Sequence, residues 1–533
     1  MSETKGTGGK CPVTGQSAGD AGTASAKPAR PTKPGARPPR GAPKIAPEAG
    51  LLEGRTGLIG LRRLSRGDIL SVIPQATTHL PIISGKILRR FHFVTDPGGN
   101  RRLFKSNFIN YPKSPETKGV LAKALKRGLF VIEGEEWRWQ RRALNPAFAP
   151  RNVARLTPPM TRCAAESSAR LAEADGPVNI SYEMMKTAFD VIVRVTFSGG
   201  DGQSTVPLDT VSEAIEHYLD KTARVSLLDF LGVPAWVPRP GRVRTHPTLK
   251  ALKDGADAAI AERRRNPNTD APALLDLLLD AEDTKTGRRM TDAELRDNLI
   301  TFLIAGHETT ALTLSWALYL LAMDPATQKR AATEAQAVLG GRAATAEDVE
   351  KLPFVQQVIY ETLRLYPPIP VHLRTAAADD EVCGHAVKKG DVMIAPFYSL
   401  HRNKRLWKQP RKFLPDRFAD MSKIDRFAYV PFSVGPRVCI GADFAMQEAT
   451  IILATLLARH RFRLTDAPPP KPKLILTLRP DRDIWLDVKP RKVAAPAETA
   501  GTGKARKATR KKAGRKAGRK AGKAPHKRAG EKA

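Results

Sequence analysis

The most informative stretch of the chain is residues 432–441, Phe432-Ser-Val-Gly435-Pro-Arg437-Val-Cys439-Ile-Gly441. Its two glycines allow a tight loop whose backbone can approach a flat ligand closely. A helical pattern begins at Ala442, so Cys439 lies just before a helix N-terminus, where free amides and the positive end of the dipole favour a thiolate. Arg437, two residues from Cys439, is placed to pair with a carboxylate of a ligand.

The chemistry available to Cys439 distinguishes three kinds of site. A lone cysteine is more often a small buried hydrophobic residue than a ligand. No second cysteine or histidine lies at the spacing of a zinc site. A single thiolate suits an iron whose other ligands come from a porphyrin. The sequence therefore favours a haem iron at Cys439, with simple packing of the cysteine as the alternative.

The loop resembles the haem-binding signature of the cytochrome P-450 family, Phe-x-x-Gly-x-Arg-x-Cys-x-Gly, at every specified position. The resemblance covers residues 51–490 and implies the cytochrome P-450 fold, which is mainly α with a minor β part, in a large helical lobe and a small β-rich lobe. It also implies haem b (iron protoporphyrin IX) as the cofactor and Cys439 as the ligand of its iron. Phe432, Gly435, Arg437 and Gly441 are then haem-binding residues of the loop.

A second motif is Gly134-Glu-Glu-Trp137-Arg-Trp-Gln-Arg141. Trp137 and Arg141 are four residues apart and share a helix face. By themselves they fit a cation–π pair on a surface helix. The resemblance implies instead that both hold a haem propionate, and that Arg374, in Val371-His-Leu-Arg374, and Arg437 are further propionate ligands.

A third motif is Ala305-Gly306-His307-Glu308-Thr309-Thr310, inside a long apolar helical pattern. A glycine in mid-helix costs about 1 kcal/mol relative to alanine, so its presence requires a reason. The resemblance implies that this segment crosses over the haem, that the helix opens slightly there, and that Glu308 and Thr309 are the catalytic acid–alcohol pair. Such a pair delivers protons to dioxygen. The alternative for Thr309 is a hydroxyl bonded to its own helix, and no role is assigned to His307.

A fourth motif is Glu361-Thr-Leu-Arg364, followed downstream by Pro415-Asp-Arg417-Phe. A Glu–Arg pair three residues apart is commonly a simple helical ion pair. The resemblance implies a buried structural network of Glu361, Arg364 and Arg417, required for folding and haem retention rather than for chemistry.

Hydrophobic periodicity predicts a mainly helical domain with little sheet. Apolar residues at three- and four-residue spacing predict helices at Val120–Lys126, Glu135–Leu144, Val153–Ala174, Tyr182–Phe197, Pro207–Thr222, Thr248–Arg265, Ala271–Ala281, Asp292–Met323, Pro325–Val338, Pro353–Tyr366 and Ala442–Arg459. Short runs predict strands at His92–Thr95, Val392–Phe397, Lys473–Leu478 and Asp483–Val488.

The net charge of +34 is concentrated at the two ends of the chain. Residues 1–50, rich in Gly, Pro and Ala, carry a net +5 and predict a disordered extension, whereas residues 491–533 carry a net +14 and predict a disordered basic Lys/Ala/Gly/Arg tail. Two interpretations of the tail stay open. It contacts an anionic partner, either nucleic acid or a membrane surface, or it only keeps the protein soluble.

The resemblance implies a haem-thiolate monooxygenase that inserts one oxygen atom of dioxygen into a hydrophobic small molecule. Only 94 residues follow Cys439, mostly in the basic tail. We therefore expect electrons from a separate ferredoxin or flavodoxin with an NAD(P)H-dependent reductase. The alternatives are a peroxygenase, isomerase or dehydratase of the same fold, or a haem-containing binding or regulatory protein that acts through its basic ends.

Four scattered cysteines are too few for a disulfide scaffold. No signal peptide or membrane span is visible, so we expect a soluble cytoplasmic protein, most simply a monomer. The resemblance places the substrate pocket among the segment before Trp137, residues 182–240, Phe302–Ala305 and Pro367–Leu373. These segments are apolar and indicate a hydrophobic substrate, but they identify neither the compound nor the position oxidised.

Overall fold

The structure is a computed structural model that describes residues 45–53, 69–86, 89–115, 117–119, 125–198, 247–267 and 272–491. The α-helices of these residues are α1 (Pro97–Arg101), α2 (Gly134–Leu144), α3 (Pro150–Arg155), α4 (Thr157–Glu173), α5 (Ile180–Val193), α6 (Pro247–Arg265), α7 (Leu274–Leu279), α8 (Asp292–Met323), α9 (Pro325–Leu339), α10 (Pro353–Leu365), α11 (Phe397–Leu400) and α12 (Ala442–Arg459). The predominance of helix confirms the predicted mainly α fold class.

The strands are short. They are β1 (Ile82–Lys86), β2 (Arg90–Val94), β3 (Pro177–Asn179), β4 (His372–Thr375), β5 (Asp380–Val382), β6 (His385–Val387), β7 (Val392–Ala395), β8 (His460–Leu464), β9 (Pro472–Leu474), β10 (Leu478–Pro480) and β11 (Trp485–Pro490). The largest sheet has the order β1-β2-β7-β4, and a second sheet has the order β3-β11-β8. Two hairpins, β5-β6 and β9-β10, complete the minor β part.

Helix α8 runs through the middle of the hydrophobic core. Its start is fixed by a capping box, in which the Thr291 hydroxyl accepts from the amide of Glu294 and the Glu294 carboxylate accepts from the amide of Thr291. Helices α5, α6, α10 and α12 pack around it. Side chains are buried on every face of α8, as expected for a helix enclosed on all sides.

The predicted helix Val153–Ala174 is two helices, because α3 ends at Arg155 and α4 begins at Thr157. Pro158 and Pro159 cause the break, since a proline is accommodated in the first turn of a helix but not in its interior. The predicted strand Lys473–Leu478 is the β9-β10 hairpin, which pairs Leu474 with Leu478. The predicted helix Pro207–Thr222 and most of the predicted helix Val120–Lys126 lie outside the described residues.

Part of the predicted N-terminal extension belongs to the domain. Ala46 is buried, and Ile45 forms an antiparallel bridge with Lys412. The Tyr366 hydroxyl donates to the carbonyl of Pro47 at 2.8 Å. The prediction of disorder is therefore wrong for residues 45–50. The backbone bridge at Ile45 and the side-chain hydrogen bond to Pro47 hold this segment, and composition contains no signal for either contact.

None of the helices among the described residues is both long enough and apolar enough to cross a membrane.

Candidate active site

The loop before α12 has the tight conformation that its glycines predict. The amide of Cys439 donates to the carbonyl of Phe432 at 2.9 Å and closes the loop. Gly435 has φ 79°, and a Cβ there would overlap the backbone oxygen of Phe104, so only glycine fits. Among the described residues, nothing lies within 4 Å of a Cβ placed at Gly441, so packing does not require this glycine. Close approach of a ligand stays its predicted reason.

Cys439 is a free cysteine in the loop that directly precedes α12. Desolvation by the surrounding protein raises the pKa of its thiol, while a hydrogen bond from the Gly441 amide and the positive charge of Arg141 act in the opposite direction. The amide and the arginine are the groups that stabilise a thiolate. Arg141, predicted as a propionate ligand, thus also acts electrostatically on Cys439.

Trp137 is in contact with Arg437 of the cysteine loop, whereas the helix spacing predicts Arg141 as its cation–π partner. The Arg437 guanidinium lies 4.1 Å from the centroid of the buried Trp137 ring. It also donates to the carbonyl of Ile132 at 3.1 Å and forms an ion pair with Glu133. Glu133 in addition accepts from the backbone amide of Lys113 at 3.2 Å.

Arg374 and Lys113 complete a cluster of positive charges beside Arg437. Arg374 is buried on β4, its guanidinium 5.1 Å from the Phe104 ring centroid, and Lys113 bridges to it through the backbone. Desolvation and the charge of Arg437 lower the pKa of Arg374 to about 10. The pKa of Lys113 is also lowered well below its usual value, by desolvation and by Arg437 and Arg374.

These depressed pKa values mean that the protein's own anions do not compensate the cluster. Among the described residues, Glu133 is the carboxylate that opposes the lowered pKa values of Arg374, Arg437 and Lys113, and Arg141 adds a further positive charge beside Arg437. Buried cations require paired anions, and arginine binds carboxylates in a two-pronged geometry. A ligand that brings two carboxylates, as a porphyrin with two propionates does, fits this donor set.

The residues Phe302, Ala305, Gly306 and Thr309 lie along α8. The helix is continuous from Asp292 to Met323, so the expected local opening is not present as a break in the helix. A Cβ at Gly306 would come within 3.0 Å of the Ile192 side chain, which explains the glycine by close packing of α5. The Thr309 hydroxyl donates to the carbonyl of Ala305 at 2.8 Å.

The structure does not join Glu308 and Thr309 by a hydrogen bond. The buried Glu308 carboxylate instead accepts from the Thr477 hydroxyl at 2.7 Å and from Nε of Arg479 at 2.5 Å. Both partners come from the β9-β10 hairpin. His307 is buried against the Phe189 ring, with Nδ1 3.1 Å from the carbonyl of Leu303, and burial lowers its pKa.

Glu361, Arg364 and Arg417 are brought together in a buried network. The Arg364 guanidinium binds both oxygens of Glu361, at 2.7 and 2.8 Å, and neither side chain is exposed to solvent. Nε of Arg417 lies 3.2 Å from Glu361. Arg364 also donates to the carbonyls of His401, Pro410 and Lys412, which ties the end of α10 to the segment before the cysteine loop.

Sequence reasoning missed Lys113, Glu133, Thr477 and Arg479. Glu133 stands directly before the Gly134–Arg141 motif, so its position was the available signal. The other three come from distant segments and carry no motif. Among the described residues, no cluster of three or more His, Cys, Asp or Glu side chains is arranged to hold a metal ion.

A single cysteine in a glycine loop, beside cations that lack sufficient anions, defines a haem-thiolate protein. The family model for cytochrome P450 matches residues 76–486. The chain therefore belongs to the cytochrome P450 family, with haem as its cofactor and monooxygenation as its activity.

Two relatives and one solved structure match most of the chain. Cyclooctat-9-en-7-ol 5-monooxygenase of Streptomyces melanosporofaciens is 35% identical over 360 residues, 66% of this chain and 77% of the relative. Human cytochrome P450 4V2 is 32% identical, over 68% of this chain and 74% of the relative. The crystal structure of the cytochrome P450DA heme domain superposes with a TM-score of 0.66 at 25% identity, covering 77% of this chain and 90% of that one.

Proposed function

We propose that this cytochrome P450 uses haem b to insert one oxygen atom from dioxygen into a hydrophobic small molecule. The two electrons come from a separate ferredoxin or flavodoxin served by an NAD(P)H-dependent reductase. The observation that carries the proposal is the tight loop in which the Cys439 amide donates to the Phe432 carbonyl at 2.9 Å, with Arg437 of the same loop packed on Trp137.

Each group of the site has a distinct task. Cys439 binds the iron, and Trp137, Arg374 and Arg437 hold the propionates, with Lys113 as a further cation. When bound, the haem supplies the redox chemistry. Phe432, Gly435 and Gly441 shape the loop that carries the thiolate.

Thr309 and Glu308 would handle the protons that the reaction requires. Because the Thr309 hydroxyl donates to the Ala305 carbonyl, its lone pairs are available to accept a proton from water or from an acid. The Glu308 carboxylate can deliver a proton only after it has exchanged its bonds to Thr477 and Arg479 and taken up a proton from water. The β9-β10 hairpin therefore controls when the carboxyl group is available.

The described part of the substrate side is apolar, which supports a hydrophobic substrate. Phe302 on α8 packs edge-on against Phe148, with centroids 5.0 Å apart. Val371 and Leu476 pack against the same core. One relative is named as a monooxygenase of cyclooctat-9-en-7-ol, which supports a compound of this kind. The predicted pocket segment 199–240 lies outside the described residues.

A separate electron carrier is part of the proposal. One relative, the bifunctional cytochrome P450/NADPH–P450 reductase 2 of Bacillus subtilis, includes a reductase by its name, and this chain matches 35% of its length at 32% identity. Electron carriers of the proposed kind are generally acidic. Arg141, in the last turn of α2, acts on Cys439, and Arg142 of the same turn is paired with Asp283 at 2.6 Å. The positive charge that would steer such a carrier is therefore the surplus of the whole chain, a formal +34.

The experiment is turnover by the purified haem protein, with substrates chosen from a library by their shift of the haem spin state. Product formation that requires NAD(P)H, reductase and carrier supports the proposal. Equal turnover with peroxide alone identifies the peroxygenase instead.

The basic tail is tested separately by deleting residues 492–533. Unchanged turnover with lost retention on anionic vesicles or DNA supports an anionic partner. Unchanged turnover and unchanged retention leave the tail a solubilising segment.

A further inference from the structure

Glu448 is a buried acid that neither the loop nor the proton relay uses. It lies on α12, nine residues beyond Cys439, and is 1% exposed. Its Oε2 accepts from the Thr310 hydroxyl at 3.1 Å, whereas its Oε1 has no hydrogen-bond partner among the described residues. A carboxyl group in such a place is costly unless it is uncharged or has a task.

Thr310 differs from the neighbouring threonines of α8. The hydroxyls of Thr309 and Thr313 donate to carbonyls four residues earlier in their own helix, each at 2.8 Å, which is the usual bond for a helical threonine. The Thr310 hydroxyl crosses instead to Glu448. This bond joins α8 to α12, the helix that begins at the cysteine loop, at the residue next to Thr309.

We propose that Glu448, in its uncharged form, is a positioning residue that holds Thr310 and thereby fixes the turn of α8 that carries Thr309. The proposal deepens the proposed function, because it rests on Thr309 as the proton-relaying hydroxyl. A rigid turn matters there, since small displacements of a group that transfers protons reduce its efficiency steeply.

The surroundings keep the carboxyl group protonated. Burial raises the pKa of Glu448 to about 8, and the hydrogen bond from Thr310 acts in the opposite direction. Burial raises the pKa of the Cys163 thiol, on the facing helix α4, to about 12, and the charge of Glu448 acts in the same direction. The thiol is therefore uncharged too. His307, on the same helix as Thr310, is buried with a lowered pKa and is neutral.

The test compares Glu448→Gln, Glu448→Leu and Thr310→Val with the control Thr450→Val. Thr450 is also buried, on α12, but its hydroxyl bonds only within its own helix, to Met446 at 2.7 Å. Product formed per NAD(P)H and peroxide released are measured with the carrier and reductase. Infrared difference spectra of the wild type minus Glu448→Gln report the protonated carboxyl band of Glu448. They are recorded both for the haem protein and for the protein stripped of haem.

We expect Glu448→Leu and Thr310→Val to release roughly 3- to 10-fold more peroxide per product, as the loss of one buried hydrogen bond allows. Glu448→Gln, which keeps a neutral acceptor, stays within about twofold of the wild type, and so does Thr450→Val. The wild-type protein shows a protonated carboxyl band that Glu448→Gln lacks.

Three results would overturn the inference: equal coupling in all variants, equal loss in Thr450→Val, or the absence of the carboxyl band. If the proteins give the spectrum of a thiolate-bound haem and one of these three results is obtained, only the role of Glu448 is rejected. Loss of that spectrum from the wild-type protein rejects the proposed function itself.

Discussion

Nε of Arg479 lies 2.5 Å from a carboxylate oxygen of Glu308, so the acid expected to serve the proton relay is tied to the β9-β10 hairpin. Thr477 of the same hairpin adds a second hydrogen bond at 2.7 Å. Both bonds lie beside the apolar turn that includes Leu476. A contact that moves the apolar turn of the hairpin would therefore also move the two hydrogen-bond donors of Glu308.

Arg479→Leu is expected to destabilise the protein and to uncouple it. Removing one partner of a buried ion pair leaves an uncompensated charge, at a cost of about 3–5 kcal/mol for full burial and less here because Arg479 is partly exposed. The measurements are the melting temperature and the peroxide released per NAD(P)H. Arg482→Leu, which removes the solvent-exposed pair with Asp481, is the control and changes stability by at most about 1 kcal/mol. Equal effects of Arg479→Leu and Arg482→Leu would show that the ion pair of Arg479 with Glu308 serves neither stability nor coupling.

Loss of a cluster cation is expected to speed the release of haem. Arg437→Leu and Lys113→Met each remove a positive charge from the group that includes Arg374, and each propionate contact is a charge-assisted bond of about 1.5–3 kcal/mol. We therefore predict at least a tenfold faster transfer of haem to an acceptor apoglobin for Arg437→Leu, which corresponds to about 1.4 kcal/mol, and a smaller increase for Lys113→Met.

Arg138→Leu provides the control for these two variants. Arg138 lies on the same helix as Trp137 but is paired with the exposed Glu135. Its haem transfer rate should match that of the wild type. A normal rate in Arg437→Leu would show that the cluster does not hold the propionates.

The Glu361 network is predicted to act through stability and not through chemistry. Glu361→Gln breaks a pair in which neither side chain touches solvent, so the free energy of unfolding should fall by about 3–5 kcal/mol. Lys388→Ala, which removes an exposed pair with Asp379, should change it by less than about 1 kcal/mol. Denaturant unfolding of both variants measures these changes in the free energy of unfolding, and haem content is the second measurement. A catalytic defect in a fully stable, haem-loaded Glu361→Gln would contradict the assignment.

Glu448 makes the stability of the wild-type protein depend on pH. Its folded pKa of about 8 lies above the ordinary value near 4.5, so the folded state binds a proton that the unfolded state releases across this interval. Wild-type stability should therefore fall, relative to Glu448→Gln, as pH rises from about 4.5 to about 8, and stay level beyond. Unfolding curves of both proteins from pH 5 to pH 9 measure the difference. A constant difference would show that Glu448 is ionised in the folded protein.

The fold class and much of the site could be predicted from the sequence because their signals are local. Cys439, Gly435 and Arg437 occupy one loop of fixed spacing, and Trp137 and Arg141 share one helix. Each arrangement follows from chain geometry over a few residues. Gly435 is required by its positive φ and by the backbone of Phe104 beside it, and the spacing pattern of the loop predicts a glycine at that position.

The contacts that escaped prediction are made across the fold. Glu308 meets Arg479 across 171 positions of the chain, and Lys113 reaches Arg374 through a backbone bridge between segments without a motif. The direction of the Glu308 side chain depends on how the β9-β10 hairpin packs against α8. Local sequence patterns contain no information on that packing, so the acid–alcohol pair was predicted from its neighbours on the helix alone.

Binding of a haem iron by the Cys439 thiolate is tested most directly by the difference spectrum of the reduced, carbon-monoxide-bound protein, for the wild type and for Cys439→Ala. We expect the wild type to show the absorption band from which the cytochromes P450 take their name, and Cys439→Ala to lack it. A band at clearly shorter wavelength in freshly prepared wild-type protein, or an unchanged band in Cys439→Ala, would contradict thiolate binding by Cys439.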